Sequence, residues 1–176
     1  YLDLVAHCMR ESEGFGIVWL QQGSEVSGGS LDTPNVGEYG TYARIVDWDQ
    51  LPNGLLGITI EGHEPFDVQS VWRAPSGLVK AEVEWRDIPE TTQLPDRYAS
   101  LAEVLEGLLR HPQIQRLQLD SDLTDGWRVG AQLAQLLPID EGLKYQLQGL
   151  TSVDQLLEEM DNILVELSGE SDQTRG

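Results

Sequence analysis

Gly40-Thr41-Tyr42-Ala43-Arg44-Ile45-Val46-Asp47-Trp48, followed by Gly54-Leu55-Leu56-Gly57-Ile58-Thr59-Ile60-Glu61-Gly62, decides the fold. Both arms are rich in β-branched and aromatic side chains, which suit a pleated, half-buried surface, and Pro52-Asn53-Gly54 supplies turn chemistry between them. The pair reads as a β-hairpin. Residues 15–21 read as a short apolar strand ahead of it, and residues 66–72 and 78–85 as two strands behind it. In the last of these Val79, Ala81, Val83 and Trp85 alternate with Lys80, Glu82 and Glu84, the period of a half-exposed strand. His63-Glu64-Pro65 reads as a turn between strands. At the start, Leu2, Val5, Ala6 and Met9 share one helical face, with Gly14 placed as a left-handed cap, which predicts a helix over 2–13. Gly23, Ser24 and Ser27 to Ser30 read as a flexible polar loop reaching toward Pro34.

After Trp85 the apolar period changes from two to about 3.6, which places a boundary there. The reading divides the chain into a β-rich part at 1–86, a helical part at 87–167 and a flexible polar tail at 168–176. Leu101, Val104, Leu105, Leu108 and Leu109 form one stripe; Ser100 and Glu103 are spaced as a capping box, Pro95-Asp96 offers an earlier start, and His111-Pro112 ends the helix. A second helix is predicted over 125–137, capped by Thr124 or Asp125 and stopped before Pro138, and a third over 140–149. The last is the clearest, since Val153, Leu156, Leu157, Met160, Ile163, Leu164 and Leu167 keep one face apolar. Strands segregated from helices make the fold class α+β.

The chain has 176 residues, with 30 acidic against 11 basic side chains and a formal charge of −19. Such a chain repels phosphate backbones and anionic membranes, so the reading expects neither nucleic-acid nor membrane partners. No apolar run approaches the roughly 20 residues that span a bilayer. A single cysteine, Cys8, and the lack of a secretion signal point to the cytoplasm.

No phosphate-cradling Gly-rich loop ending in Lys and Ser or Thr is present, and neither Lys80 nor Lys144 sits in a nucleophile motif, so the chain reads as no enzyme. The stretch from Asp120 to Gly126 fails the calcium-loop spacing, because Asp125 and Ala131 stand where glycine and a bidentate glutamate belong. His63-Glu64 has no second histidine placed for zinc, and no cofactor or metal is expected. His7 and His111 read as helix-end residues, and Cys8 as a small buried hydrophobe. Of five tryptophans, Trp19, Trp48, Trp72, Trp85 and Trp127, most are expected in the core, Trp85 among them. Trp48 and Trp72, near strand ends beside Asp47, Asp49 and Arg73, are the candidate exposed platforms.

The same residues carry a family resemblance. Gly37 to Trp48 resembles the GT-x-A-x-I segment of the N-terminal substrate-binding domain of Lon proteases, and Ala81-Glu82-Val83-Glu84-Trp85 resembles its A-x-V-E strand. Glu13 to Val18 and Trp127 to Pro138 match its preceding strand and its L-L-P helix, in the family's order. The family's opening strand and Pro-Gly loop have no counterpart, so natural N-terminal strands are expected ahead of Tyr1. The resemblance implies a PUA-like β pseudo-barrel followed by an α-helical bundle, in a stand-alone bacterial version without the ATPase and protease domains. It also implies binding of unfolded or damaged polypeptide, with protease components as possible partners. Tyr42, Trp48, Phe66 and Trp72 are the candidate substrate-binding residues. The competing readings are a small-ligand binder, with Trp48 and Trp72 forming an aromatic pocket, and a self-associating scaffold.

Overall fold

A computed structural model describes residues 1–22 and 35–173. The fold is α+β, and the chain divides into two compact units, Tyr1–Ile88 and Pro89–Gly176. The first unit contains α1 (Leu2–Glu11), β1 (Phe15–Gln22), β2 (Asn35–Gln50), β3 (Leu56–Arg73) and β4 (Val79–Trp85), the strands forming one antiparallel sheet in the order β1-β2-β3-β4. The second contains a 3-10 turn (Asp96–Tyr98), α2 (Ala99–Leu109), α3 (Pro112–Gln115), α4 (Gly126–Leu136), α5 (Glu141–Gln148) and α6 (Val153–Gln173). The polar loop read at 23–34 lies outside the described residues.

The hairpin is longer than its two arms suggest. The turn at Leu51–Leu55 closes with Gly54 at φ 81, a conformation open to glycine, and Leu51 donates its N–H to Leu55 O at 2.8 Å. His63-Glu64-Pro65 is not a turn: β3 runs through it. Thr41 pairs with Pro65 and Ala43 with Gly62, so His63 and Glu64 together face Tyr42 in a β-bulge. The bulge absorbs a proline that has no N–H for the β2 ladder, while Pro65 O accepts the Arg86 N–H at 2.9 Å. A second bulge puts Val46 as the extra residue between Ile45↔Ile60 and Asp47↔Thr59.

Gly14 is likewise not the cap of α1. Ser12 takes the left-handed conformation there, at φ 56. Gly14 is needed for close approach instead, since a Cβ on it would strike Ala43 O and the Tyr42 ring, and its N–H donates to the Tyr42 hydroxyl at 2.6 Å.

In the second unit Leu101, Leu105, Val129, Leu133, Leu157 and Met160 are fully buried and form the centre of the core. The two predicted stripes supply Leu101, Leu105, Leu157 and Met160, and the helix predicted over 125–137 adds Val129 and Leu133. Asp125 caps α4, accepting from Trp127 N at 3.1 Å, and also holds Thr92 N at 3.2 Å; Thr92 is pinned further by the Gly126 N–H, which donates to Thr92 O at 2.7 Å. Ser100 caps nothing: α2 is entered through the 3-10 turn after Pro95, the earlier of the two starts. His111 begins α3, its Nδ1 accepting from Gln113 N, rather than merely ending α2. Helix α6 continues to Gln173, through the stretch from Ser168 read as a tail, and the Ser168 hydroxyl donates to Leu164 O at 2.7 Å.

Candidate functional site

The end of α1 with the turn after it, and the second half of β2, enclose an open concavity of about 410 Å³ within the first unit. Cys8, Met9, Ser12 and Glu13 form one wall, and Arg44, Ile45, Val46, Asp47 and Trp48 the other. Ladder pairing explains the apolar side. Ile45 pairs with Ile60 and Trp48 with Ile58, and paired residues share a face, so these four side chains lie on one side of the hairpin with Leu56. Ala43, further along that side, is buried. Past it, among the described residues, the side is uncovered: Trp48 is 56% exposed, and Leu56, Ile58 and Ile60 are exposed as well. A contiguous exposed patch of this kind marks an interaction surface more strongly than scattered apolar residues do.

The polar groups of the concavity are held locally. Asp47 Oδ1 accepts the Trp48 N–H at 2.8 Å, Glu13 faces His7 Nε2 at 3.4 Å, and the Arg44 guanidinium lies 5.7 Å from the Tyr42 ring centre. Burial first, and then the neighbouring Glu13 carboxylate, push the Cys8 thiol above its ordinary value, which makes it a poor nucleophile.

A second aromatic cluster sits on the other face. Trp85 meets Tyr42 and Phe66 edge-on, at centroid distances of 5.7 and 6.0 Å. Phe66 fills the space above Gly16 and Gly40 and is 3% exposed. Trp85 is not the core residue expected: it shares a side with Val83 and Phe66 but, at the end of the last strand in the sheet order, is 57% exposed. Behind it, Arg86 donates to both carboxylate oxygens of Asp67 and lies 4.8 Å from the Tyr39 ring centre.

The four residues singled out from the sequence therefore separate. Tyr42 and Phe66 come together through Trp85, but Phe66 is buried and Tyr42 is engaged with Gly14. Trp48 alone lines the concavity. Trp72 is exposed but pairs with Lys80 in the β3–β4 ladder, beside Ser70 and Glu82, and among the described residues no ring contact joins it to Trp48. The wall supplied by α1 was missed. Its signal was present in Met9, on the apolar face of an amphipathic helix with no assigned partner.

The model of the ATP-dependent protease La (LON) substrate-binding domain matches residues 1–166. The chain belongs to this family. The Lon N-terminal domain protein from Xanthomonas campestris is 31% identical, with a TM-score of 0.70, over 91% of this chain and 81% of that one. The N-terminal domain of Mycobacterium avium complex Lon protease shares the fold at 16% identity and a TM-score of 0.50, over 73% of this chain and 70% of that one. No curated protein matches. The family thus accounts for the hairpin and for the segregated helices. Among the described residues no helix is long and apolar enough to cross a membrane.

The acidic stretch before α4 is committed to structure. Asp120 pairs with Arg128 at 2.7 Å, Asp125 caps α4, and Asp122 accepts from both the N–H and the hydroxyl of Thr124. Those two bonds lower the Asp122 pKa, chiefly through the hydroxyl, and the Asp120 partnership raises that of Arg128.

Proposed function

We propose that this chain is a non-catalytic module of the bacterial cytoplasm that binds unfolded or damaged polypeptide at the α1–β2 concavity and the adjoining hairpin face. The carrying observation is the row of Trp48, Leu56, Ile58 and Ile60 beside that concavity, exposed among the described residues. Family membership supports the reading, since the matched domain is the substrate-binding part of an ATP-dependent protease. A site of this size engages a few side chains of an extended segment, and disordered clients lose chain entropy on binding, so affinity should be modest. Release to protease components fits weak capture.

The test is a fluorescence-anisotropy titration of the chain against a labelled, permanently unfolded protein and its folded counterpart. Saturable preference for the unfolded form is expected, with Trp48→Ala weakening it about tenfold or more, as removal of a central aromatic does. Equal or absent binding would defeat the reading. Self-association through β4 is less favoured, because Lys80, Glu82 and Glu84 are charges that oppose edge-to-edge pairing. An aromatic pocket for a small ligand lacks its second wall, since Trp48 and Trp72 belong to different ladders.

A further inference from the structure

We infer that the concavity selects extended segments in which a bulky apolar side chain adjoins a lysine or arginine. This rests on the polypeptide-binding reading above and names the class of segment. A space of about 410 Å³ lies in the range of small-ligand sites, roughly 300–1,000 Å³, and takes one or two side chains rather than a folded surface. Its apolar part is Met9, Ile45, Val46 and Trp48. Met9 brings an unbranched, polarizable chain that adapts to different occupants, and Trp48 brings a ring face that attracts a cation.

Charge decides the neighbour of the apolar side chain. Glu13, in the turn after α1, and Asp47, on β2, both line the concavity, and Glu13 also faces His7 Nε2 at 3.4 Å. The Asp47 oxygen that accepts from Trp48 N keeps acceptor capacity, and the carboxylate has a second oxygen. Arg44 is the cation of the lining, and its guanidinium lies toward Tyr42. An acidic client meets these carboxylates and a chain of formal charge −19, whereas a basic one gains from both.

Three labelled, unstructured peptides of equal length test this, alternating apolar residues with Lys/Arg, with Glu, or with Ser/Gln. Each is titrated into the chain, into the double variant Glu13→Gln/Asp47→Asn, and into a control of equal charge outside the lining, Glu158→Gln/Glu159→Gln on α6. The basic peptide should bind more tightly than the acidic one. The cleft variant should narrow that ratio about three- to tenfold, as two exposed charge pairs allow, and leave the neutral peptide unchanged. The α6 control should narrow it by less than about twofold, since its carboxylates are not part of the lining and exposed charges that make no direct pair are screened by salt. Equal narrowing by both variants, or no preference in the parent chain, overturns the selectivity while polypeptide binding stands. Failure of all three peptides to bind overturns the binding reading itself. Should the double variant not fold, Asp47→Asn alone, at an exposed strand position, carries the same comparison.

Discussion

Asp67 takes two hydrogen bonds from Arg86, whose guanidinium lies over Tyr39, and this clamp fixes the end of β4 that carries Trp85. The Arg86 hydrogen bonds hold the Asp67 carboxyl below the usual carboxylate range, and the guanidinium charge adds to them. A depressed folded-state pKa means that the contribution is present above the unfolded value, about 3.9, and is lost as pH falls through the folded value. Both side chains are partly solvated, so Asp67→Asn should cost only about 0.5–1 kcal/mol at pH 7. Urea denaturation at pH 7 and pH 3 should show the deficit shrinking in acid; an equal deficit at both would assign it to packing instead of charge. Asp125 differs because it is buried and serves two amides, Trp127 N and Thr92 N. Asp125→Ala removes a cap worth about 0.5–2 kcal/mol and strands the second donor, so a loss of about 2 kcal/mol or more is expected from the same denaturation measurement. A loss below about 0.5 kcal/mol would mean that water replaces the carboxylate.

Among the helices, two glycines separate propensity from packing. Gly107 in α2 has nothing within 4 Å of where a Cβ would stand, so Gly107→Ala should stabilise by about 0.4–1 kcal/mol. In α4, a Cβ on Gly130 would lie 2.7 Å from Leu156 of α6, so Gly130→Ala should destabilise by about 1–3 kcal/mol despite the better helix former. Thermal unfolding of the two variants should shift in opposite directions, and a shared direction would refute the contact. Periodicity made these helices legible, because Leu156, Leu157, Met160 and Ile163 face a core that their own spacing announces. It failed at His63-Glu64-Pro65, where local turn chemistry is overridden by the β2–β3 ladder, which resumes on each side of the bulge. It failed also at the concavity. Trp48 was readable as an exposed aromatic near a strand end, but its juxtaposition with Met9 and Glu13 comes from packing between residues far apart in the chain, which no local pattern encodes.

The two units are unequal in their cores, and this bears on how the chain handles clients. In the first, the buried apolar side chains among the described residues are Cys8, Ala43 and Phe66; in the second they extend from Tyr98 to Ile163 across α2, α4, α5 and α6. Each fully buried large side chain contributes about 1.5–3 kcal/mol, so the helical unit should outlast the sheet as stability is lowered. Amide hydrogen exchange resolved by element should then find β2 and β3 opening at least about tenfold more readily than α4 and α6. Uniform protection would instead make the chain a single cooperative block. The same measurement locates the client: a ligand that binds only the folded first unit stabilises it by about 2.7 kcal/mol at a hundred times its dissociation constant, or about a hundredfold in exchange. Saturating with the unfolded client should therefore slow exchange in β2 and β3 while leaving α4 and α6 near their original rates, because those helices belong to the other compact unit. Protection confined to the second unit would move the binding surface off the hairpin, and the exposed row from Trp48 to Ile60 would then need another explanation.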